Sequence, residues 1–334
     1  MPRTGRLHIA GGYYHVMGRG LERRRIFSGK KNKEDFINRL AFLVKELPFE
    51  CMAWSLMSNH YHLLIRVGDE PLSRLMRRLL SGYATNYNIR QKRSGYVFQN
   101  RYKSILCDAD NYFLELVRYI HLNPVKAKML RDISELDRYS WTGHGAIMGN
   151  QSNDWQNTDE VLTRYSRQKA SARRQYRSFV MDSINCKVED MSGGGLIRSY
   201  GGWQEIIKKR KNHEVRIGDE RILGDSDFVE QAIKSDELKL EEELLLKRNG
   251  WNLDRLEEYV CRHFNIAASQ LTKKGRHNSI SHAKALICYW GNERLGISSS
   301  VLGARFCISQ SSVSRAVSRG REYTEENSIE LEAS

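Results

Sequence analysis

Two short apolar runs joined by a polar turn decide how the first part of the chain folds. They occupy residues 51–67 and read CMAWSLM, SN and HYHLLIRV. Each run has the length of a strand, and Ser58-Asn59 has the chemistry of a tight hairpin turn. Side chains two residues apart on a strand share a face, so His60 and His62 lie together while the apolar residues between them take the other face. The stretch therefore predicts an antiparallel hairpin that presents two imidazoles side by side.

The segments on either side extend this hairpin into a β-α-β-β-α-β order followed by one more helix. The predicted elements are a strand at Gly11–Met17, a helix at Asn32–Leu47, the hairpin, a helix at Leu72–Ile89, a strand at Arg101–Cys107, and a helix capped by Asp110 or Asn111 and stopped by Pro124. This order is the split βαβ, or ferredoxin-like, plan of an α+β protein: a four-stranded antiparallel sheet with helices on one face. The apolar side of the hairpin suits the helix-covered face, which predicts that both histidines lie on an open face.

Two polar side chains of the last predicted helix lie one turn apart. Tyr119 and Asn123 are spaced i, i+4 and so share a face. The helix pattern alone is typical of a tyrosine packed into the core. A phenol with a pKa near 10 attacks a phosphodiester poorly, but a nearby divalent metal and cationic groups would favour its phenolate. In the same way, the His60/His62 pair alone fits either structural histidines or ligands that converge on one metal ion.

The positive charge of the chain is concentrated in its first part. Residues 1–130 hold 23 Lys and Arg against 10 Asp and Glu, whereas residues 131–334 hold 31 against 30. Such a cationic domain most often faces a polyanion, because each neutralised phosphate releases condensed counterions. The charge therefore favours a nucleic-acid partner over a merely basic surface, without indicating an enzyme.

Other features of the composition exclude several protein classes. No window approaches the ~18 to 20 uninterrupted apolar residues of a membrane span, and the N-terminus lacks the apolar core of a signal peptide. The six cysteines are scattered, without a CxxC pair. They indicate reduced thiols, and the sequence predicts a cytoplasmic protein that binds no membrane.

The composition changes near residue 150 and predicts four segments. They are an N-terminal domain at 1–149, a helical linker region at 150–225 that includes a glycine-rich loop, a helical domain at 226–323 and an acidic tail at 324–334. Helical stretches are predicted at 159–182, 226–247, 251–264, 279–290 and 299–320.

The end of the helical domain has the pattern of a helix-turn-helix. Residues 299–317 read SSVLGARFCISQSSVSRAV. The front of a recognition helix would then present Gln310, Ser311, Ser312 and Arg315 to duplex DNA. Residues 276–320 also resemble, distantly, the DNA-binding domain of the replication initiator DnaA, although Cys307 stands where the turn usually has glycine. The alternative is a small helical bundle that packs only on its neighbours.

Four ordered motifs give residues 7–130 a more specific resemblance. They read YHVMGRG at 14–20, SNHYHLL at 58–64, GYVFQNRYK at 95–103 and RYIHLNP at 118–124. In this order they resemble the HUH single-tyrosine transposases of IS200-like insertion sequences, and most of all their REP-associated branch.

This resemblance implies a role for each motif residue. His60 and His62 would be metal ligands, and Tyr119 the nucleophile that forms a 5′-phosphotyrosine and releases a 3′-hydroxyl. Asn123 would complete the metal site; His121 is the rival, although i+2 on a helix faces away from Tyr119. The implied ion is Mg²⁺ or Mn²⁺. Imidazole ligands alone favour zinc or manganese, so the identity of the ion rests on the resemblance.

The basic residues of the same domain are the predicted DNA contacts. They are Arg19, Arg23, Arg24, Arg25, Arg74, Arg77, Arg78, Arg101, Tyr102 and Lys103. The expected partner is single-stranded or hairpin DNA, with duplex DNA at the C-terminal domain, and the chain would act as a monomer or a homodimer. Two alternatives remain at this point: a DNA-binding regulator that kept the fold without catalysis, and a metal-free RNA-binding protein, for which the strands lack an aromatic stacking motif.

Overall fold

The computed structural model describes residues 6–184, 219–272 and 279–331, except for the side chains of Gln310 and Ser311. The chain forms two compact units, Met1–Ile233 and Lys234–Ser334. The division into four segments stays a prediction, and the glycine-rich part of the predicted linker lies outside the described residues.

A mixed sheet forms the centre of the first unit. Its strands are β1 (Tyr13–Arg19), β2 (Phe49–Leu56), β3 (His60–Val67), β4 (Lys103–Cys107) and β5 (Ile222–Leu223), in the order β2-β3-β1-β4-β5. The first four pair antiparallel, and β5 pairs parallel with β4. The α+β class is confirmed. The prediction of a four-stranded sheet was wrong at one edge, where the short strand β5 follows β4 by more than a hundred residues.

The helices of the first unit surround this sheet. They are α1 (Lys30–Glu46), α2 (Leu72–Arg90), α3 (Ala109–Lys126), α4 (Ile133–Arg138), α5 (His144–Met148), α6 (Thr158–Thr163) and α7 (Lys169–Asp182). The stretch predicted as one helix at 159–182 is thus divided between α6 and α7.

Both faces of the sheet are covered, which corrects the prediction of an open face. Tyr61, Leu63 and Ile65 of β3 join a core that includes buried residues of α1 and α2. Leu64 joins a second core, with buried residues of α3 and α7. The predicted alternation of side chains along β3 was therefore correct. Leu64, however, shares a face with His62 and is buried there, so that face is covered as well.

Helix α3 begins earlier and ends later along the chain than its sequence suggests. Asp108 is the N-cap, and its side chain accepts hydrogen bonds from the backbone N–H groups of Asp110 (3.1 Å) and Asn111 (3.4 Å). The helix also continues through Pro124. Proline cannot donate to the carbonyl of Ile120, and the Asn123 side chain supplies a weak replacement at 3.5 Å. The predictions of a cap at Asp110 or Asn111 and of a stop at Pro124 were wrong for these reasons.

A buried polar network joins α3 to the helices around it. The Tyr176 hydroxyl lies 2.8 Å from Nδ1 of both His121 and His144. His144 donates through Nε2 to Asp137 at 2.8 Å, and Arg177 donates to the same carboxylate at 2.9 Å. Burial alone would raise the pKa of Asp137, but the hydrogen bonds from His144 and Arg177 lower it below its usual value. A single hydroxyl thus contacts one ring nitrogen of each of two buried imidazoles.

Removal of this hydroxyl is expected to destabilise the fold. The Tyr176→Phe variant leaves two buried ring nitrogens without a partner, which should lower the free energy of unfolding by about 2 kcal/mol. Urea denaturation of the full chain measures the change. Tyr165→Phe is the matched control, because the buried Tyr165 hydroxyl has no hydrogen-bond partner and its loss should cost little. Equal stabilities of the two variants would contradict the prediction.

The second unit is helical in the part that the structure describes. Its helices are α8 (Ser226–Arg248), which begins in the first unit, α9 (Leu253–His263), α10 (Ser279–Glu293), α11 (Ser299–Phe306) and α12 (Gln310–Asn327). Gly320 has no side chain, and a Cβ there would collide with the carbonyl of Ala285, so glycine lets α12 approach α10 closely. The predicted tail is partly ordered, because α12 continues to Asn327 and Leu331 is buried.

Helices α11 and α12 are joined by a tight turn at Cys307. This residue has φ 53° and ψ 40°, the left-handed conformation that favours glycine. Ser298 and Ser309 cap the two helices through their side-chain oxygens. The local geometry is that of the predicted helix-turn-helix, with cysteine tolerated at the turn.

Candidate active site

The residues predicted to be catalytic line one cavity of the first unit. The cavity has a volume of about 430 Å³. Its lining residues are Met17, Gly18, Arg19, His60, His62, Gln99, Asn100, Arg101, Lys103, Tyr119 and Asn123. The site thus combines two imidazoles, a phenol and three side-chain amides with three cationic side chains.

Strand register and helix periodicity bring these residues together. In the β1–β3 pair, Met17 lies opposite His62 and Arg19 opposite His60, and in the β1–β4 pair Met17 lies opposite Lys103. Residues opposite one another in an antiparallel pair project to the same face. Helix α3 lies on this face and adds Tyr119 and Asn123 from successive turns.

A hydrogen bond fixes the protonation of the His60 ring. Asn59 donates through Nδ2 to the carbonyl of Arg23 at 3.0 Å, which leaves its Oδ1 to accept from His60 Nδ1 at 2.7 Å. The lone pair of neutral His60 is then on Nε2. Burial, and to a lesser degree the charge of Arg19, lowers the pKa of His60 to about 4. The ring is therefore neutral at neutral pH, the form that binds metals.

His62 is held in a similar way by a residue to which the sequence assigned no role. His15 of β1 is fully buried, and its Nε2 lies 2.9 Å from Nδ1 of His62. The two rings stack with centroids 5.1 Å apart. Burial, followed by His15, His60 and Arg19, lowers the pKa of His62 well below its usual value. The sequence signal for this contact was the alternation along β1, which puts His15 on the same face as the cavity residues Met17 and Arg19.

Tyr119 packs edge-on against the rings of His15 and His62. Its ring centroid lies 5.8 Å from that of His15 and 5.7 Å from that of His62. The ring also contacts the core beneath α3 and is half-buried. The helix pattern left open whether Tyr119 packs into the core or lines a site. The residue does both, because it packs on the core and lines the cavity.

Asn123 lies in the cavity, whereas its rival His121 does not. Asn123 donates through Nδ2 to the carbonyl of Tyr119 at 2.9 Å, so its amide oxygen is the atom left for a cation. His121 is fully buried on the side of Tyr176. No group of three His, Cys, Asp or Glu residues that could hold a metal occurs in the described parts of the chain. A cation in this cavity would thus be held by two imidazoles, an amide and oxygens of the substrate.

Of the predicted DNA contacts, only some adjoin the cavity. Arg19, Arg101 and Lys103 line it. The turn after β1 carries Arg23, Arg24 and Arg25, all exposed. Two residues in the lining, Gln99 and Asn100, lie within the third sequence motif but received no role in the prediction.

The remaining predicted contacts lie elsewhere. Arg74 pairs with Glu70, and Arg78 donates to Glu46 at 2.8 Å; like Arg77 they belong to α2, outside the cavity lining. Tyr102 is buried in the core beneath the Arg6 guanidinium. These roles in DNA binding stay predictions.

In the second unit, the predicted contacts fall on α12. Arg315 is exposed and Ser312 half-buried. The side chains of Gln310 and Ser311 lie outside the described residues.

Comparison with known proteins identifies the first unit more closely. Residues 8–123 match the family model described as "Transposase IS200 like". The N-terminal unit thus carries an IS200-like transposase domain that spans about a third of the chain. No curated protein sequence matches the chain, and no described helix is long and apolar enough to cross a membrane.

Solved structures also match the chain. One of them is described as a REP-associated tyrosine transposase bound to a REP hairpin, with 18% sequence identity and a TM-score of 0.38. The match covers 46% of this chain and 91% of the other.

Proposed function

We propose that this protein is a single-strand DNA endonuclease and strand transferase that acts through a tyrosine–DNA ester. The observation that supports it most is the convergence of His60, His62, Tyr119 and Asn123 on one basic cavity. A regulator that only binds DNA needs the basic residues but has no use for a phenol beside two neutral imidazoles. The match of residues 8–123 to IS200-like transposases supports the same conclusion.

The proposed reaction exchanges one phosphate ester for another. The Tyr119 oxygen attacks the phosphorus, the bond from phosphorus to the 3′-oxygen breaks, and the 5′-phosphate remains on the tyrosine. The proton lost by the phenol is balanced by the one gained by the departing 3′-hydroxyl. Attack by a 3′-hydroxyl on the phosphotyrosine reverses the step and joins DNA without an external energy source.

The cationic side chains stabilise the charge of the reacting phosphate. Arg19, Arg101 and Lys103 line the same cavity as Tyr119. Fixed positive groups next to the phosphate oxygens favour the transition state, in which negative charge on those oxygens increases. The same charges favour phenolate over phenol.

A divalent metal fits the donor set of the cavity. His60 and His62 would hold it through Nε2, together with Asn123 through its amide oxygen. Bound Mg²⁺ or Mn²⁺ would polarise a phosphate oxygen as a Lewis acid. The chain itself keeps both imidazoles neutral by burial and fixes their orientation through Asn59 and His15.

The polarity of the covalent product tests this function. We would incubate the full chain and Mn²⁺ with single-stranded fragments of the DNA that flanks its gene, labelled at either end. A 5′-phosphotyrosine attaches the downstream fragment, so only the 3′-labelled strand should form an adduct stable to SDS. The 5′-labelled fragment should be released with a 3′-hydroxyl that a polymerase extends. An adduct with the 5′-label, or cleavage without any adduct, would refute the proposed chemistry.

We further propose that the helix-turn-helix of α11 and α12 binds duplex DNA. Arg315 is exposed near the start of α12, where a recognition helix contacts DNA. Arg315→Ala is expected to weaken duplex binding by about 1–3 kcal/mol if the residue contacts a base. Fluorescence anisotropy at several salt concentrations measures this. Glu322→Ala on the same helix is the control, and an unchanged affinity of Arg315→Ala would remove this residue from the interface.

A further inference from the structure

The most exposed aromatic ring among the described residues of the first unit has no role in the chemistry above. Tyr96 has 84% of its surface exposed. It lies in the loop that joins α2 to β4, three residues before Gln99, which lines the cavity. Three residues of extended chain span at most roughly 10 Å, so the backbone of Tyr96 lies within about that distance of the backbone of Gln99.

Backbone and side-chain hydrogen bonds hold this loop in place. Leu21 donates its N–H to the carbonyl of Val97 at 2.9 Å, and Gln99 donates to the carbonyl of Arg19 at 2.9 Å. On the other side of Tyr96, Asn88 donates through Nδ2 to the carbonyl of Gly95 at 2.9 Å. The next residue, Val97, is buried. Tyr96 is therefore exposed on an anchored backbone, as a preformed binding surface requires.

The same pairing sets Tyr96 next to the arginine turn, defined as Gly20–Arg25. Gly20 forms a bridge with Phe98, so this turn and the loop run antiparallel. Residues 91–102 contain two arginines and one lysine and no acidic residue, and the arginine turn contains three arginines and one glutamate. An exposed ring on a loop that adjoins such basic sequence fits an anionic polymer with aromatic groups better than a neutral protein surface.

We propose that Tyr96 and the arginine turn form a binding surface for unpaired nucleotides that flank the cleaved phosphate. The Tyr96 ring stacks on a base, and the arginines contact the neighbouring phosphates. This inference rests on the proposed function, because it assigns the surface that presents single-stranded DNA to Tyr119. Stacking needs an unpaired base, so the surface discriminates single strands from duplex while tolerating differences in sequence.

The experiment measures binding apart from cleavage. In the absence of divalent metal, fluorescence anisotropy compares the affinities of the full chain and its variants for single-stranded (dT)20 and for a 20-base-pair duplex. Tyr96→Ala should weaken (dT)20 binding roughly 5- to 150-fold, the range that corresponds to loss of one stacked base. Tyr96→Phe keeps the ring and should bind like the wild type. Duplex binding should be the same in all three proteins.

Position-specific evidence comes from photocrosslinking. An oligonucleotide in which 5-iodouracil replaces every thymine should crosslink to the peptide that contains Tyr96. Phe42→Ala is the matched control, because Phe42 is an aromatic residue with 62% exposure on α1 and does not line the cavity. This variant should bind (dT)20 as the wild type does.

The outcomes separate this proposal from the function on which it rests. If the wild type binds (dT)20 and Tyr96→Ala binds it equally well, the binding surface is refuted while the proposed function stands. An equal loss of single-strand and duplex affinity in Tyr96→Ala would show a general effect rather than stacking, and would also refute it. If the wild type binds no single-stranded DNA, both proposals fail.

Discussion

Replacement of Tyr119 by phenylalanine is expected to abolish DNA cleavage and covalent attachment while leaving DNA binding intact. The phenolic oxygen is the attacking atom, and loss of a covalent nucleophile lowers kcat by ~10³-fold or more. The Tyr119 ring packs edge-on against His15 and His62. Phenylalanine preserves those ring contacts, so the cavity should keep its shape. The measurements are adduct formation on a denaturing gel and anisotropy with the same oligonucleotide.

A tyrosine of the same helix serves as the control for this substitution. Tyr112 lies two turns before Tyr119 on α3, is also half-buried and does not line the cavity. Tyr112→Phe should cleave DNA at the rate of the wild type. If Tyr119→Phe still forms an adduct, another residue is the nucleophile and the assignment of Tyr119 is wrong. If it loses binding as well, the phenol acts in recognition rather than in the chemical step.

The site illustrates which parts of a structure local periodicity can predict. Alternation on β3 correctly puts His60 and His62 on one face, because the strand period is fixed by the backbone. The one-turn spacing on α3 likewise distinguishes Asn123, which lines the cavity, from His121, which does not. Both inferences need only the geometry of one element. They group His60 with His62 and Tyr119 with Asn123, whereas the role of Tyr119 as nucleophile was implied by the family resemblance.

Features that depend on distant residues were missed. The covering of the second sheet face involves α7, and the buried partner of His121 is Tyr176, 55 positions along the chain. Strand β5 has only two residues, which is too short to leave a recognisable sequence pattern, and a long connection separates it from its partner β4. The predicted helix end at Pro124 was wrong because a purely local rule was applied. Proline leaves the carbonyl of Ile120 without its backbone donor, but the Asn123 side chain donates to that carbonyl and the helix continues.

His15 shows that a contact can be missed even within a recognised motif. It belongs to β1, whereas His62 belongs to β3, and the sequence does not give the register between them. The observed register places His15 opposite Leu64, one position away from His62 on the same face. A buried imidazole at a diagonal position can then reach the His62 ring. The resulting pair extends the proposed metal site by one residue that does not itself reach the cavity.

Removal of either proposed imidazole ligand is expected to abolish metal-dependent cleavage. His60→Ala and His62→Ala each take away one of two imidazole donors, and the described residues that line the cavity include no carboxylate to replace them. Chelation of the wild type should have the same effect, with recovery on addition of Mn²⁺. Electron paramagnetic resonance titration of the chelator-treated full chain measures Mn²⁺ affinity without DNA. Unaltered Mn²⁺ binding in both variants would exclude the histidine pair as the metal site.

His15 supplies a graded version of the same test. A residue that orients a metal ligand typically contributes ~10- to 100-fold to metal affinity, so His15→Asn should weaken Mn²⁺ binding by that factor rather than abolish it. His263→Ala is the control, because His263 is an exposed imidazole of the second unit. A loss of folding in His15→Asn is detected separately by urea denaturation, and a folded variant with wild-type Mn²⁺ affinity would contradict the positioning role. If His62 is a ligand and His15 its hydrogen-bond partner, the Mn²⁺ affinity should increase in the order His62→Ala, His15→Asn, wild type. No purely structural role of the two histidines produces that order in a folded protein.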